Sequence, residues 1–260
     1  MIYIDESRCV GCGACAGDCL SRAIVCQDGK AVIKKPCFRC GHCIAICPSG
    51  AVSMDDFDMK EVFPFEKELF TISPEVLLNV MKFRRSIRQF RDEPVEREKL
   101  ERLLEAGRFS PTGSNAQNVS YRVISDKIVE FRDLSMKEFR QYREPELFAE
   151  LFPPPMTPDR VNFDDDDFLF KGGHAVILTI SPSAVNAALA SAYMELLAHT
   201  MGLGVVYVGF FTRLAAVNGP VREWLNLQKE DQVVTALSIG YPNVGYKRTV
   251  PRKKADACWL

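Results

Sequence analysis

Cys9-Val10-Gly11-Cys12-Gly13-Ala14-Cys15-Ala16-Gly17-Asp18-Cys19 is followed, 28 residues on, by Cys37-Phe38-Arg39-Cys40-Gly41-His42-Cys43-Ile44-Ala45-Ile46-Cys47. Both runs read C-x2-C-x2-C-x3-C, and Pro48 closes the second. A repeat of this kind is an internal duplication. The two runs take up eight of the ten cysteines; Cys26 lies between them and Cys258 near the end of the sequence. The opening residues, Met1-Ile2-Tyr3-Ile4-Asp5-Glu6, lack the basic and then apolar pattern of a secretory leader. A reducing, cytoplasmic compartment is therefore expected, and clustered cysteines there read as metal ligands rather than disulfides. Structural zinc pairs two C-x2-C knuckles across a longer gap. Four cysteines in one tight run, twice over, suit iron–sulfur clusters instead.

Each run resembles the bacterial two-cluster ferredoxins, in which the fourth cysteine ligates the other cluster. The resemblance implies a [4Fe-4S] cluster on Cys9, Cys12, Cys15 and Cys47, and a second on Cys37, Cys40, Cys43 and Cys19. Small residues within the runs (Gly11, Gly13, Ala14, Gly17, Gly41) would let backbone N–H groups approach the cluster sulfurs. Leu20 departs from the pattern, standing where the family has proline. With eight sulfurs available, His42 is not needed as a ligand. Cys26 is expected to be a small buried residue, and Cys258 a bystander.

Composition narrows the partners. The chain has 260 residues, is 47% hydrophobic and carries a formal net charge of −1. It can bury a sizeable core in one or two domains. Its charge gives no electrostatic footprint for nucleic acid or a membrane surface, and no apolar run is long enough to span a bilayer. The expected organisation is a cluster domain over residues 1–58, a linker over 59–73 and a larger domain over 74–260.

In the larger domain, Ser73 and Pro74 signal a helix start, and Leu77, Val80, Met81 and Arg84 share one face. A second helix is expected over 95–107 with Gly107 as its stop, then a strand at Tyr121–Ile124 and a polar helix within 126–143. Residues 144–168 hold Pro153-Pro154-Pro155 and the acidic run Asp164–Asp167, and are expected as a long loop, either disordered or a lid. Strands are expected at Ala175–Ile180, Val205–Phe210 and Gln232–Tyr241, with helices at Asn186–Thr200 and Val221–Leu227. The last 19 residues look like an extended arm. The mixture lacks a strict βαβ rhythm, which favours an α+β class.

Three arginines and a serine fall within five residues at Arg84-Arg85-Ser86-Ile87-Arg88. Arginine forms bidentate, charge-assisted bonds to phosphate, and serine adds a neutral donor. A solvated basic turn is the plainer account of these five residues taken alone. Three further pieces follow in order: Ser110-Pro111-Thr112-Gly113-Ser114-Asn115-Ala116-Gln117, Gly202-Leu203-Gly204, and Gly240-Tyr241-Pro242 ahead of a basic tail. This order resembles the nitroreductase family over residues 74–260. The resemblance implies a nitroreductase-like α/β sandwich that binds FMN. It places Arg84, Arg85, Ser86, Arg88, Arg252 and Lys253 at the FMN phosphate. Asn115 would lie at the ribityl or phosphate region, Gln117 near the ring, and the backbone of Val208 and Gly209 beside flavin N5. It also implies a homodimer with FMN at the subunit interface. After the loop glutamine the family often has Pro-Trp, where this chain has Asn118-Val119.

No Ser-His-Asp or paired-carboxylate arrangement stands out. None is needed where a flavin carries the chemistry; His174 and His199 are expected to be structural. The function implied is an FMN-dependent oxidoreductase in which the clusters relay electrons to FMN, for reduction of a nitro-aromatic or similar small acceptor. No G-x-G-x-x-G follows a strand. Reduced ferredoxin is the expected donor, and NAD(P)H the alternative that the resemblance implies. Two further readings stay open: a dehydrogenase with the opposite flow, and a non-enzymatic carrier or redox sensor.

Overall fold

The computed structural model describes residues 1–260. The chain forms two compact units. One comprises Met1–Ile72 with Gly113–Ala116, the other Ser73–Thr112 with Gln117–Leu260. Residues 59–72, expected as a linker, are thus counted with the first unit.

In the first unit the cysteine runs are bracketed by two small antiparallel sheets. Strand β1 (Ile2–Ile4) pairs with β4 (Val52–Met54), and β2 (Ile24–Gln27) pairs with β3 (Lys30–Ile33). Between them lie two single helical turns, α1 (Ala14–Gly17) and α2 (His42–Ala45). Each turn is entered through a glycine in the left-handed region, Gly13 at φ 78° and Gly41 at φ 76°. Glycine reaches this conformation without the Cβ penalty. Ile2, Ile24, Ala31, Val52 and Met54 form a small buried cluster with Cys15 and Cys43. A further short helix, α3 (Lys67–Phe70), follows in the exposed segment 62–72.

The second unit is built on one four-stranded antiparallel sheet, in the order β5-β6-β8-β7. Its strands are β5 (Ser120–Ile124), β6 (Ala175–Ile180), β7 (Gly204–Tyr207) and β8 (Val233–Gly240). All six residues of β6 are buried. Alternation sends them to opposite faces. Ala175 and Ile177 join one core with Leu103, Met194 and Ala198, while Val176 and Leu178 join another with Phe131, Phe170 and Phe211. The sheet is therefore sandwiched. Helices α5 (Arg97–Arg108) and α8 (Ala184–Thr200) supply the first core. Helices α6 (Ile128–Arg140), α7 (Pro145–Leu151), α9 (Gly209–Val217) and α10 (Gly219–Trp224) supply the second.

Helix α4 (Pro74–Phe83) begins as expected: the Ser73 hydroxyl accepts from the Val76 amide and Pro74 takes the first turn. It buries none of its residues in this chain.

Several expectations are corrected. Gly107 does not stop its helix but lies inside α5, where a Cβ would come 2.6 Å from the Tyr121 hydroxyl. The expected strand 205–210 ends at Tyr207 and turns into α9. Residues 144–168 are not a structureless loop: Phe148, Leu151, Phe152, Val161 and Phe163 are buried in the second core. Four cations hold its acidic run. Arg143 pairs with Asp164, Lys171 with Asp165, Arg140 with Asp166 and Arg132 with Asp167. Cys26 is exposed rather than buried, and so is Cys258. No helix is long and apolar enough to cross a membrane.

Candidate functional site

The cysteine runs place their sulfurs in a repeated environment. The Ala23 amide donates to Cys19 Sγ at 3.2 Å, and 28 residues on the Ala51 amide donates to Cys47 Sγ at 3.3 Å. Ser21 Oγ lies 3.5 Å from the first of these sulfurs, and Ser49 Oγ 3.6 Å from the second. The Ala31 amide donates to Cys9 at 3.5 Å and the Arg39 amide to Cys37 at 3.1 Å.

These donors favour thiolate. Burial raises the Cys19 and Cys47 thiols, but the serine hydroxyls and backbone amides outweigh it, and both titrate below the ordinary thiol range. Amides of Ala31 and Gly11 likewise lower Cys9. Cys43 is pushed up to about 11 by burial and by the neighbouring Cys37 and Cys40. Repulsion of that kind is relieved when a cation binds the sulfurs.

Cys9, Cys12, Cys15 and Cys47 line one cavity, together with Gly11 and Gly13. A Cβ at Gly11 would come 2.1 Å from the Gly29 carbonyl oxygen, so only glycine admits this path of the backbone. Three sulfurs from one run and the last sulfur of the other thus share a wall, with amides already aimed at sulfur. This donor set fits a thiolate-ligated cluster.

In the second unit three separated motifs converge. The arginine segment runs beside β7: Ser86 bridges Val205 in parallel, and the Ile87 amide donates to the Val205 carbonyl at 3.0 Å. It continues along the chain that leaves β8, where Phe90 bridges Pro242 and the Arg91 amide donates to the Tyr241 carbonyl at 2.8 Å. Two motif glycines make room for it. A Cβ on Gly204 would lie 2.5 Å from Ile87, and one on Gly240 2.9 Å from the Phe90 ring.

The junction encloses a pocket of about 320 Å³, within the range of small-ligand sites. Arg84, Arg85, Glu195, His199, Gly204 and Tyr246 are among the residues that line it. Arg84 Nη1 donates to Glu195 Oε1 at 2.6 Å. Arg85 folds back on the chain, donating to the carbonyls of Arg84 and Lys82, and its buried Nε has no partner. The Tyr246 hydroxyl donates to the Ser86 carbonyl at 3.4 Å. Two guanidinium groups, one of them with an unpartnered buried Nε, fit an anionic, phosphate-bearing ligand; Ser86 is not among the lining residues.

Other expected contacts lie elsewhere in the chain. Arg88 is exposed. Val208 spends its amide on the Ala236 carbonyl at 2.8 Å. That leaves Gly209, the first residue of α9, as the donor free of the ladder. Asn115 belongs to the first unit, where its side-chain amide donates to the Arg39 carbonyl at 2.9 Å. Gln117 lines a separate groove with Thr112, Gly107 and Tyr121. Arg252 and Lys253 lie on an exposed tail without regular secondary structure. Glu195, His199 and Tyr246 were missed by motif reading. A single acid within the apolar stretch Ala187–Ala198 was the available signal for Glu195.

Comparison with known proteins gives the family. Residues 81–241 match the nitroreductase family, and residues 2–24 match a 4Fe-4S binding domain. The chain is 28% identical over 165 residues to an FMN reductase [NAD(P)H] of Bacillus subtilis, a match covering 61% of this chain and 62% of that protein. It is 34% identical over 58 residues to an uncharacterized ferredoxin of Methanocaldococcus jannaschii, covering 21% of this chain and 94% of the relative. In fold it is similar to a nitroreductase with bound FMN from Desulfitobacterium hafniense, at TM-score 0.58 and 20% identity over 71% of this chain and 97% of that one. With its family model spanning most of the second unit, the chain belongs to the nitroreductase family.

Proposed function

We propose that this protein is an FMN-dependent oxidoreductase in which two [4Fe-4S] clusters relay electrons to FMN for reduction of a small acceptor of the nitro-aromatic kind. One observation carries the proposal. A cavity walled by Cys9, Cys12, Cys15 and Cys47 and a pocket lined by Arg84 and Arg85 occur in a single chain. Bound in these sites, the clusters supply single-electron transfer and the flavin supplies exchange between one- and two-electron chemistry.

The protein's own contribution is binding and electrostatics. Arg84 and Arg85 would hold the phosphate by charge-assisted bonds, with Ser86 as a neutral donor. The Gly209 amide, at the positive end of α9, offers a donor to an electron-rich ring edge. Backbone amides on Cys9, Cys19, Cys37 and Cys47 stabilise negative charge at the sulfurs and so favour the reduced clusters. The second cluster belongs to Cys37, Cys40, Cys43 and Cys19 through the 28-residue repeat.

A homodimer completes the flavin site in this reading. Gln117, Arg252 and Lys253 are not among the residues that line the Arg84 pocket in one chain, and a second copy would bring an arm and a loop to it. The apolar side chains that α4 leaves exposed, Val76, Leu77, Leu78 and Met81, support the same arrangement.

The donor is tested by anaerobic titration followed in the visible spectrum and by paramagnetic resonance. Reduced ferredoxin is expected to reduce the clusters first and bleach the flavin after. Rapid flavin bleaching by NADH or NADPH before any cluster signal would instead place the donor at the flavin and overturn the inward relay.

A further inference from the structure

The Arg84 pocket holds an anion of its own. Glu195 projects from α8, and its side chain is only 10% exposed. Its Oε1 accepts from Arg84 Nη1 at 2.6 Å. His199, one turn further along the same helix, lines the same pocket. The Tyr207 phenol is held well above its ordinary range by burial and by the neighbouring Glu195 charge, so it stays a neutral donor beside the carboxylate. Neither Arg85 nor Tyr246 is bonded to Glu195: Arg85 is turned onto the Arg84 and Lys82 carbonyls and Tyr246 onto Ser86. Arg84 is therefore the cation that compensates Glu195, and Glu195 the anion that compensates Arg84.

A phosphate entering this pocket meets a guanidinium whose charge is already balanced. We propose that Glu195 is a specificity-determining residue that competes with the ligand's phosphate for Arg84, holding the guanidinium in place in the flavin-free chain and weakening the binding of phosphate-bearing flavin. This inference rests on the FMN assignment made above.

The physical argument is linkage. A partly buried guanidinium that loses its anion is destabilising. Glu195 prevents that situation while the pocket lacks FMN. Once a phosphate is bound to Arg84, the carboxylate is a second anion on the same cation in a place poorly screened by water. The interaction that stabilises the flavin-free chain thus opposes the bound one. Removing the carboxylate should lower stability without FMN and raise the stabilisation that FMN confers.

The test is titration of FMN, and separately of riboflavin, into the flavin-free full-length protein with its clusters intact. Binding is read by quenching of flavin fluorescence, and melting is recorded with and without each flavin. Glu195→Gln keeps the shape of the side chain and removes its charge; Glu195→Met serves as a second neutral replacement.

The expected result is a Kd for FMN lowered roughly tenfold in both variants, a fraction of the full Coulomb energy of one close ionic contact because solvent and the loosened Arg84 offset part of it. Riboflavin, which has no phosphate, should bind both variants as it binds the parent. The FMN-induced shift in melting temperature should be larger in the variants. Unchanged or weaker FMN binding in either folded variant overturns the inference while leaving the FMN assignment intact. So does an equal change for FMN and riboflavin, because the effect would then not act through the phosphate. A parent protein that binds neither flavin removes the FMN assignment itself, and the inference with it.

Discussion

The side chain of Ile87 occupies the space that a Cβ on Gly204 would need: such an atom would lie 2.5 Å from Ile87 Cγ1 and 2.8 Å from its Cβ. The arginine segment can lie against β7 only because residue 204 has no side chain. Gly204→Ala is expected to push Ser86 and Ile87 off the Val205 backbone. Overpacking of this kind costs about 1–3 kcal/mol. Melting temperature and retained flavin should therefore fall together. A variant that keeps both would show that the segment tolerates displacement and that its contact with β7 does not position the phosphate-binding residues.

The cavity formed by Cys9, Cys12, Cys15 and Cys47 sets the last cysteine of the second run beside the first three, and the proposed ligation makes it the fourth ligand of that cluster. Cys47→Ala should lower the iron content of anaerobically purified protein from roughly eight atoms per chain to roughly four. Cys19→Ala should remove the other cluster, so the two variants should leave different paramagnetic signals. Cys26→Ala should leave iron unchanged. Identical residual signals from Cys47→Ala and Cys19→Ala would contradict the crossed ligation.

Arg132 Nε lies 3.4 Å from Asp167 Oδ2, and both side chains are largely buried. Asp167 also accepts from the amides of Phe170 at 3.1 Å and Gly172 at 2.6 Å. Asp167→Ala strands a guanidinium and two amides, and is expected to cost about 3 kcal/mol in urea unfolding. The Asp166 side chain is fully exposed although it pairs with Arg140, and Asp166→Ala should leave the urea midpoint unchanged. Equal losses in the two variants would mean that the acidic run acts as one unit rather than through its buried member.

Tyr241 donates its hydroxyl to Glu96 Oε2 at 2.5 Å, and that hydrogen bond, more than the nearby Lys99, holds the Glu96 carboxyl down at about 2. A carboxyl with a lowered folded-state pKa contributes stability above its unfolded value, near 4.5, and loses it as pH falls through the folded value near 2. Tyr241→Phe should be less stable than the parent at neutral pH, with the gap narrowing between about pH 4.5 and 2. Urea midpoints measured across that interval check this. A gap that stays constant would show that Tyr241 contributes through packing alone.

Covalent spacing made much of the protein legible. The two C-x2-C-x2-C-x3-C runs fix cluster chemistry because ligands three residues apart can only wrap a compact core. The Ser73-Pro74 start of α4 and the fully buried β6 were also readable, since capping and apolar runs act locally. The fate of residues 144–168 was not. Their anchors are Phe148, Leu151 and Phe152, whose helical spacing is confined to one short turn between prolines, and the isolated Phe163, and their cations lie on α6, at Arg143 and at Lys171.

For the Arg84 pocket, sequence order supplied the motifs but not their meeting. Arg84, Gly204 and Pro242 are far apart in the chain, and only the β8–β7 pairing and the glycine clearances bring them to one place. Glu195 shows the limit most clearly. By sequence it is one acid on an apolar helix; in the fold it is the anion at Arg84, 111 positions away. Ligand type and repeat were therefore determined by the sequence itself, because they depend on spacing along the chain. Which charges face one another was decided by tertiary packing, because that depends on distance through space.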